Sequence, residues 1–420
     1  MTIWISIATA RTLSSSTMKQ KPLNGKTGWT QARGSGVSIS PYHLKIHKVL
    51  NDVSVKPGEG KMQKTIETRY RSFAACCLLA FVCLLSGCAS TSTKPIVDID
   101  GKHVAGSVAT LEQVTLGGVK QWILIRGRNA SSPLVLKLHG GPGQAEMATV
   151  QFNNLLEQDF LIVEWDQRGA GKSADVPAAG LTMEQIVSDT IELSQYLLKR
   201  FNQDRLTLVG HSWGSAVGLQ AVDHAPRLYR AFVSTGQMTS FSNATSAGYQ
   251  ALLEHAGRSS DKALEAEINA LGEPPYVGPE GKSKRAKYVG LLEKYGSLWH
   301  AEPGFNPVRW MIAAEEYSWP EKLSFNRAAE TSFEALLPDL LKLDMARLVP
   351  RVEVPVYFAV GRHDLLASPS LAFAYFSRLT APKKEWIWFE KSAHFPQWEE
   401  PGEFHGLLMR VLRESGSAPG

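Results

Sequence analysis

A serine hydroxyl becomes a nucleophile when a base takes its proton, and an imidazole is a dependable base when a carboxylate fixes its tautomer. Ser212 lies in Gly210-His211-Ser212-Trp213-Gly214, a G-x-S-x-G sequence preceded by the apolar-rich residues 206–209 and followed by Ala216-Val217-Gly218-Leu219. A strand that turns sharply into a helix at this point lifts the serine Oγ out of the backbone and aims free helix N–H groups at charge developing beside it. Downstream, Asp364 sits in Gly361-Arg362-His363-Asp364 and His394 in Ser392-Ala393-His394-Phe395, each just past a further apolar run. Taken singly, Asp364 reads equally well as a turn-former and His394 as a surface histidine. Taken together, all three fall beyond the ends of expected parallel strands, where such sheets place ligands. His363 is a rival base, disfavoured because it adjoins the acid.

Acyl transfer through a serine also needs donors for a full negative charge on oxygen. Leu138-His139-Gly140-Gly141-Pro142-Gly143 follows another apolar run and offers the Gly141 N–H; the Trp213 N–H, next after the serine, is the second expected donor. His139 is expected to brace this loop. No metal or organic cofactor is required, since such a triad activates its own nucleophile.

Short apolar runs at residues 119–126, 133–138, 160–165, 206–209, 231–234, 354–360 and 384–389 read as strands, most of them buried on both faces. Residues 182–201 read as a helix that opens with a Thr182/Gln185 capping box, and 404–412 as a closing helix. From about 239 to 342 the chain is Ala-, Glu- and Lys-rich, broken at Pro274-Pro275, Gly278-Pro279 and Pro303-Gly304, with no strand alternation. This predicts an α/β fold with a mostly parallel sheet, helices on both faces and an inserted helical cap: core at 96–238 and 343–420, cap at 239–342.

The formal charge of +5 is uneven: residues 1–87 hold 12 Lys/Arg against 3 Asp/Glu, and residues 88–420 hold 33 against 37. A later region of net −4, without basic stripes, gives no reason to expect nucleic acid. All four cysteines, Cys76, Cys77, Cys83 and Cys88, precede the expected domain, which therefore has no internal disulfide or thiolate metal site. Residues 1–61 read as a disordered extension or as translation from a start upstream of the biological one, Met62. From Met62, a basic stretch (Lys64, Arg69, Arg71), a 13-residue apolar run and Leu85-Ser86-Gly87-Cys88 read as a secretion signal. The apolar run is well short of the roughly 20 residues that span a bilayer. The segment resembles the lipobox of bacterial lipoproteins, which implies an acylated Cys88 at the mature terminus, a tether at 88–95 and durable attachment to a lipid bilayer. Ala89 after the cysteine implies the outer membrane, facing the periplasm.

Together, HGGPG at 139–143, DQRGAGKS at 166–173, GHSWGS at 210–215, GRHD at 361–364 and SAHFPQWEEP at 392–401 resemble the proline iminopeptidase-like branch of the α/β-hydrolase superfamily. The resemblance spans about residues 119–412. It implies Ser212, Asp364 and His394 as the triad, Gly141 and Trp213 as oxyanion donors, and Asp166, Arg168 and Gly169 as a loop supporting the oxyanion loop through an ion pair or turn. In that branch, cap glutamates hold the substrate's α-amine, one of them in Ala-Trp-x-x-Trp-Glu. This chain departs there, with Arg309-Trp310-Met311-Ile312-Ala313-Ala314-Glu315-Glu316-Tyr317, so Glu315 and Glu316 are the candidate amine-binding residues. The expected activity is a serine hydrolase acting on a small peptide, aminoacyl amide or ester, foremost an aminopeptidase. The alternatives are a carboxylesterase or lipase-like enzyme and a noncatalytic envelope binding protein, the last disfavoured by the intact triad. Converging carboxylates in the cap would favour an amine substrate, an aromatic and aliphatic lining an ester. The sequence leaves the oligomeric state open.

Overall fold

Apolar neighbours in a strand point to opposite faces, so a strand covered on both sides reads as a continuous apolar run. The computed structural model, which describes residues 91–176, 180–302 and 304–416, shows this in the middle of one eight-stranded sheet. Its strands are β1 (Val108–Leu116), β2 (Val119–Gly127), β3 (Leu134–Leu138), β4 (Leu161–Asp166), β5 (Leu206–His211), β6 (Tyr229–Thr235), β7 (Val356–Gly361) and β8 (Lys384–Phe389). The order is β1-β2-β4-β3-β5-β6-β7-β8. The β1–β2 and β2–β4 pairs are antiparallel and all later pairs parallel.

On one face, Leu136, Val163, Leu208 and Phe232 pack with Leu193 and Leu197 of α1 (Met183–Phe201) and Val217 of α2 (Trp213–His224). Their neighbours Val135, Ile162, Val209 and Val233 pack on the other face. Thr182 Oγ1 accepts from Gln185 N at 3.1 Å, but the Gln185 amide donates to Asp189 at 2.8 Å, so only the first half of the expected capping box forms. Helices α3 (Phe241–Ser259), α4 (Lys262–Leu271), α5 (Gly281–Lys294), α6 (Pro307–Ala313) and α7 (Trp319–Lys342) lie between β6 and β7 as the inserted helical region. Much of it packs on an apolar centre of its own that includes Tyr249, Leu252, Leu264, Ile268 and Leu292. After β7, α8 (Pro369–Arg378) sends Tyr375 into the first face, and α9 (Pro401–Glu414) covers the second with Phe404, Leu408 and Leu412.

The expected signal segment and Cys88 lie outside the described residues. Residues 91–94, within the expected tether, are fastened to the folded domain. Lys172 Nζ donates to Thr91 Oγ1 at 2.9 Å, and Arg126 donates to Thr93 Oγ1 at 2.7 Å and to the Lys94 carbonyl. Thr93 in turn donates to Glu316 of the helical insertion at 2.8 Å. Among the described residues no helix is long and apolar enough to cross a membrane.

Candidate active site

The β5–α2 turn holds Ser212 at φ 52°, ψ −114°, a conformation that costs a residue with a Cβ on the order of 1–3 kcal/mol and persists only where the surroundings impose it. Ser212 N donates to Thr235 O at 2.9 Å, and Ser215 Oγ donates to Ser212 O at 2.5 Å. The backbone approaches are too close for side chains: a Cβ on Gly214 would lie 2.2 Å from Leu138 O, and one on Gly210 2.4 Å from Gly214 O.

The expected acid and base, Asp364 and His394, follow the ends of β7 and β8. His394 Nδ1 donates to Asp364 Oδ2 at 2.9 Å, while Asp364 Oδ1 accepts from Leu366 N and Ala367 N, both at 2.8 Å. With Asp364 1% and His394 2% exposed, the ring is fixed with its Nε2 as the remaining basic atom. Gly236, at φ +55°, packs against that ring. His363 turns elsewhere and stacks on His300 with ring centroids 3.6 Å apart.

Gly141, Ser212 and His394 line one cavity, with Leu298, Phe305, Phe395 and Trp398 among its walls. Gly141 and Ser212 also line a second, walled chiefly by α3 and α5, with Phe333 of α7. Ser212 thus stands where two largely apolar chambers meet. Trp213 opens α2, where helix geometry leaves the first N–H groups without intrahelical acceptors.

Behind the expected oxyanion loop, residues 139–143, lies a bracing layer that the sequence showed only in part. His139 donates from Nδ1 to Gly140 O at 2.8 Å and accepts Gln167 N–H on Nε2 at 3.1 Å; burial pushes its pKa down to about 4, so it stays neutral. Gln167 also donates to His139 O and accepts from the Trp213 indole at 3.1 Å, joining both expected donor segments through one side chain. Glu146 Oε1 accepts Gly140 N–H at 3.1 Å and the Nδ1–H of His211 at 2.8 Å. Burial alone would raise the Glu146 carboxyl, but His211 beside it holds it below its ordinary value. Arg168 pairs with Asp189 at 2.8 Å, the ion pair expected of that loop. Asp166 accepts from Tyr317 Oη and from Lys172 N, and burial pushes its pKa up to about 7.

Glu315 and Glu316, the candidate amine-binding acids, line neither chamber that holds Ser212. Glu315 is half exposed and pairs with Lys94 at 3.2 Å, and the buried Glu316 accepts from Thr93. Both instead border a separate polar cavity with Lys94 and Arg126. The chain turns after α6, so Trp310 packs against Phe305 and Trp398 while the two acids emerge beside the N-terminal segment.

A family model described as alpha/beta hydrolase fold matches residues 133–401. A probable aminopeptidase, YbaC, of Bacillus subtilis (strain 168) is 31% identical over 310 residues, covering 73% of this chain and 97% of its own. A proline iminopeptidase of Heyndrickxia coagulans is 25% identical over 67% of this chain and 90% of its own. Among solved structures, the proline iminopeptidase of Mycobacterium smegmatis superposes with a TM-score of 0.55 at 18% identity, over 73% of this chain and 98% of its own.

Proposed function

Because the chain belongs to the alpha/beta hydrolase fold family and is a hydrolase, we propose that it cleaves small amides or esters through an acyl-enzyme on Ser212. The observation that carries this is the Asp364–His394 pair, its ring at the wall of the cavity that Ser212 and Gly141 share. Ser212 Oγ attacks the carbonyl carbon as its proton passes to His394 Nε2, and Asp364 stabilises the imidazolium. The N–H groups of Gly141 and Trp213 receive the oxyanion. The carbon–leaving group bond then breaks, the leaving atom takes the proton from Nε2, and water repeats the sequence to release the acid and restore the serine.

The relatives' names favour an N-terminal aminoacyl substrate, and with it the aminopeptidase reading. The aromatic and aliphatic walls, with Glu315 and Glu316 outside them, favour the carboxylesterase alternative. Protein beginning at residue 89, assayed on prolyl and other aminoacyl amides, their N-acetylated analogues and short acyl esters, separates the two. An aminopeptidase uses the free amine and fails on the acetylated compound. Equal use of both, with faster ester turnover, selects the esterase; no turnover of any compound rejects the proposal.

The sequence at 62–88 supports a second part of the reading, that the enzyme is carried to the bacterial envelope and anchored by acyl chains on Cys88. Mass spectrometry of the protein from its native membrane tests this: an acylated N-terminal Cys88 is expected, and a chain that retains residues 62–87 overturns it.

A further inference from the structure

The chamber beside Ser212 that α3 and α5 wall is largely apolar; besides Ser212 itself and Thr245, whose hydroxyl donates to Phe241 O at 2.8 Å, its polar side chains are Arg285 and Tyr288, one helical turn apart on α5. Both are buried, at 5% and 3% exposure. Arg285 Nη1 donates to Tyr276 O at 2.6 Å, Nη2 reaches Glu334, and the guanidinium lies over the Phe333 ring with Cζ 5.2 Å from its centroid. These contacts hold the head group in one orientation. Arg285 Nε and the Tyr288 hydroxyl nevertheless have no hydrogen-bond partner among the described residues. Buried donors are almost always satisfied, and an unpaired one asks for an explanation. Two such donors on neighbouring residues that line one chamber, one of them on a cation whose carboxylate partner Glu334 is 42% exposed, fit a ligand that brings acceptor oxygens and negative charge.

We propose that Arg285 and Tyr288 form a subsite for a substrate carboxylate, so that the enzyme prefers substrates bearing a free carboxylate on the part that enters this chamber. The inference rests on Ser212 as the nucleophile, since the chamber matters only because it opens on that residue. Burial raises the Tyr288 phenol well above its ordinary pKa, which keeps the hydroxyl protonated and able to donate. Arginine suits the task because its planar fork meets a carboxylate with fixed geometry and keeps its charge at any working pH. The carboxylate has two possible sources, the leaving group, as in a dipeptide, or the acyl group, as in a half-ester of a dicarboxylic acid.

Two matched pairs separate them: prolylalanine against prolylalaninamide, and mono-p-nitrophenyl succinate against p-nitrophenyl butyrate. In one pair the carboxylate member is expected to have at least about tenfold higher kcat/KM, expressed mainly in KM. Arg285→Gln and, separately, Tyr288→Phe should move that ratio toward one, and Arg285→Lys should restore part of it. The ratio is internal to each protein, so a loss of folded material does not mimic the effect. Fluorophosphonate labelling of Ser212 and turnover without a carboxylate preference in either pair of the unsubstituted enzyme would overturn this inference alone. Absence of both labelling and turnover would overturn the nucleophile, and the subsite with it.

Discussion

Gly236 and His394 are in van der Waals contact: a Cβ built on Gly236 would stand 2.8 Å from Cε1 of the imidazole and 3.0 Å from Nδ1. Gly236 sits at φ +55°, which costs an L-residue about 1–2 kcal/mol. Gly236→Ala should therefore displace the ring from Asp364 and lower kcat by about 10²-fold, with a smaller change in KM. Steady-state kinetics on folded variant check this; unchanged kcat would show that the ring has room to give.

Ser212→Ala should abolish covalent labelling by a fluorophosphonate while leaving the melting temperature near that of the parent, since the side chain makes little packing. Asp364→Asn should keep the label slow and reduce kcat by roughly 10³–10⁴-fold, because an amide stabilises neither the productive tautomer nor the imidazolium. Stoichiometric labelling of Ser212→Ala would assign the nucleophile to another residue.

The Asp166 carboxyl, raised by burial from 3.8 to about 7, binds a proton in the folded protein that the unfolded chain releases at lower pH. Its stabilising contribution is thus complete below pH 3.8 and is lost as pH rises through about 7. Asp166→Asn removes that titration. The fall in melting temperature from pH 5 to pH 8 should be smaller in the variant than in the parent by about 2 °C or more. Equal falls in both would show that Asp166 titrates near its ordinary value.

Glu315→Gln and Glu316→Gln should each change the preference for free over acetylated amine by less than about twofold, because neither acid lines the chambers beside Ser212. An exposed pair such as Lys94–Glu315 contributes at most about 1 kcal/mol. Glu316→Gln should lower stability more, through its buried contact with Thr93. A selective loss of free-amine turnover in either variant would return that acid to the substrate.

What could be read in the sequence was local. The turn at Ser212 and the positions of Asp364 and His394 follow from strand runs and the residues just beyond them, and seven of the eight strands announced themselves as apolar runs. The eighth, β1, is a partly exposed edge strand whose VATLEQVTL mixes polar with apolar residues, so it does not read as a fully buried run. Gln167 and Glu146 escaped because their roles exist only through contacts with loops remote in sequence. Glu315 and Glu316 lie away from the chambers beside Ser212 for the converse reason. Closeness to Trp310 along the chain says nothing about direction once α6 ends at Ala313 and the backbone turns.

The fastening of residues 91–94 bears on how the protein is prepared. A recombinant start at Ile96, where sequence alone would trim the chain, discards the acceptor for Lys172 at Thr91, the oxygens that Arg126 meets at Thr93 and Lys94, and the donor to Glu316. Arg126 and Glu316 are buried side chains, so the shortened form would expose or strand charges that the longer form satisfies. A start at residue 89 keeps the whole clasp, and the difference in soluble yield between the two lengths measures how much the helical insertion depends on it.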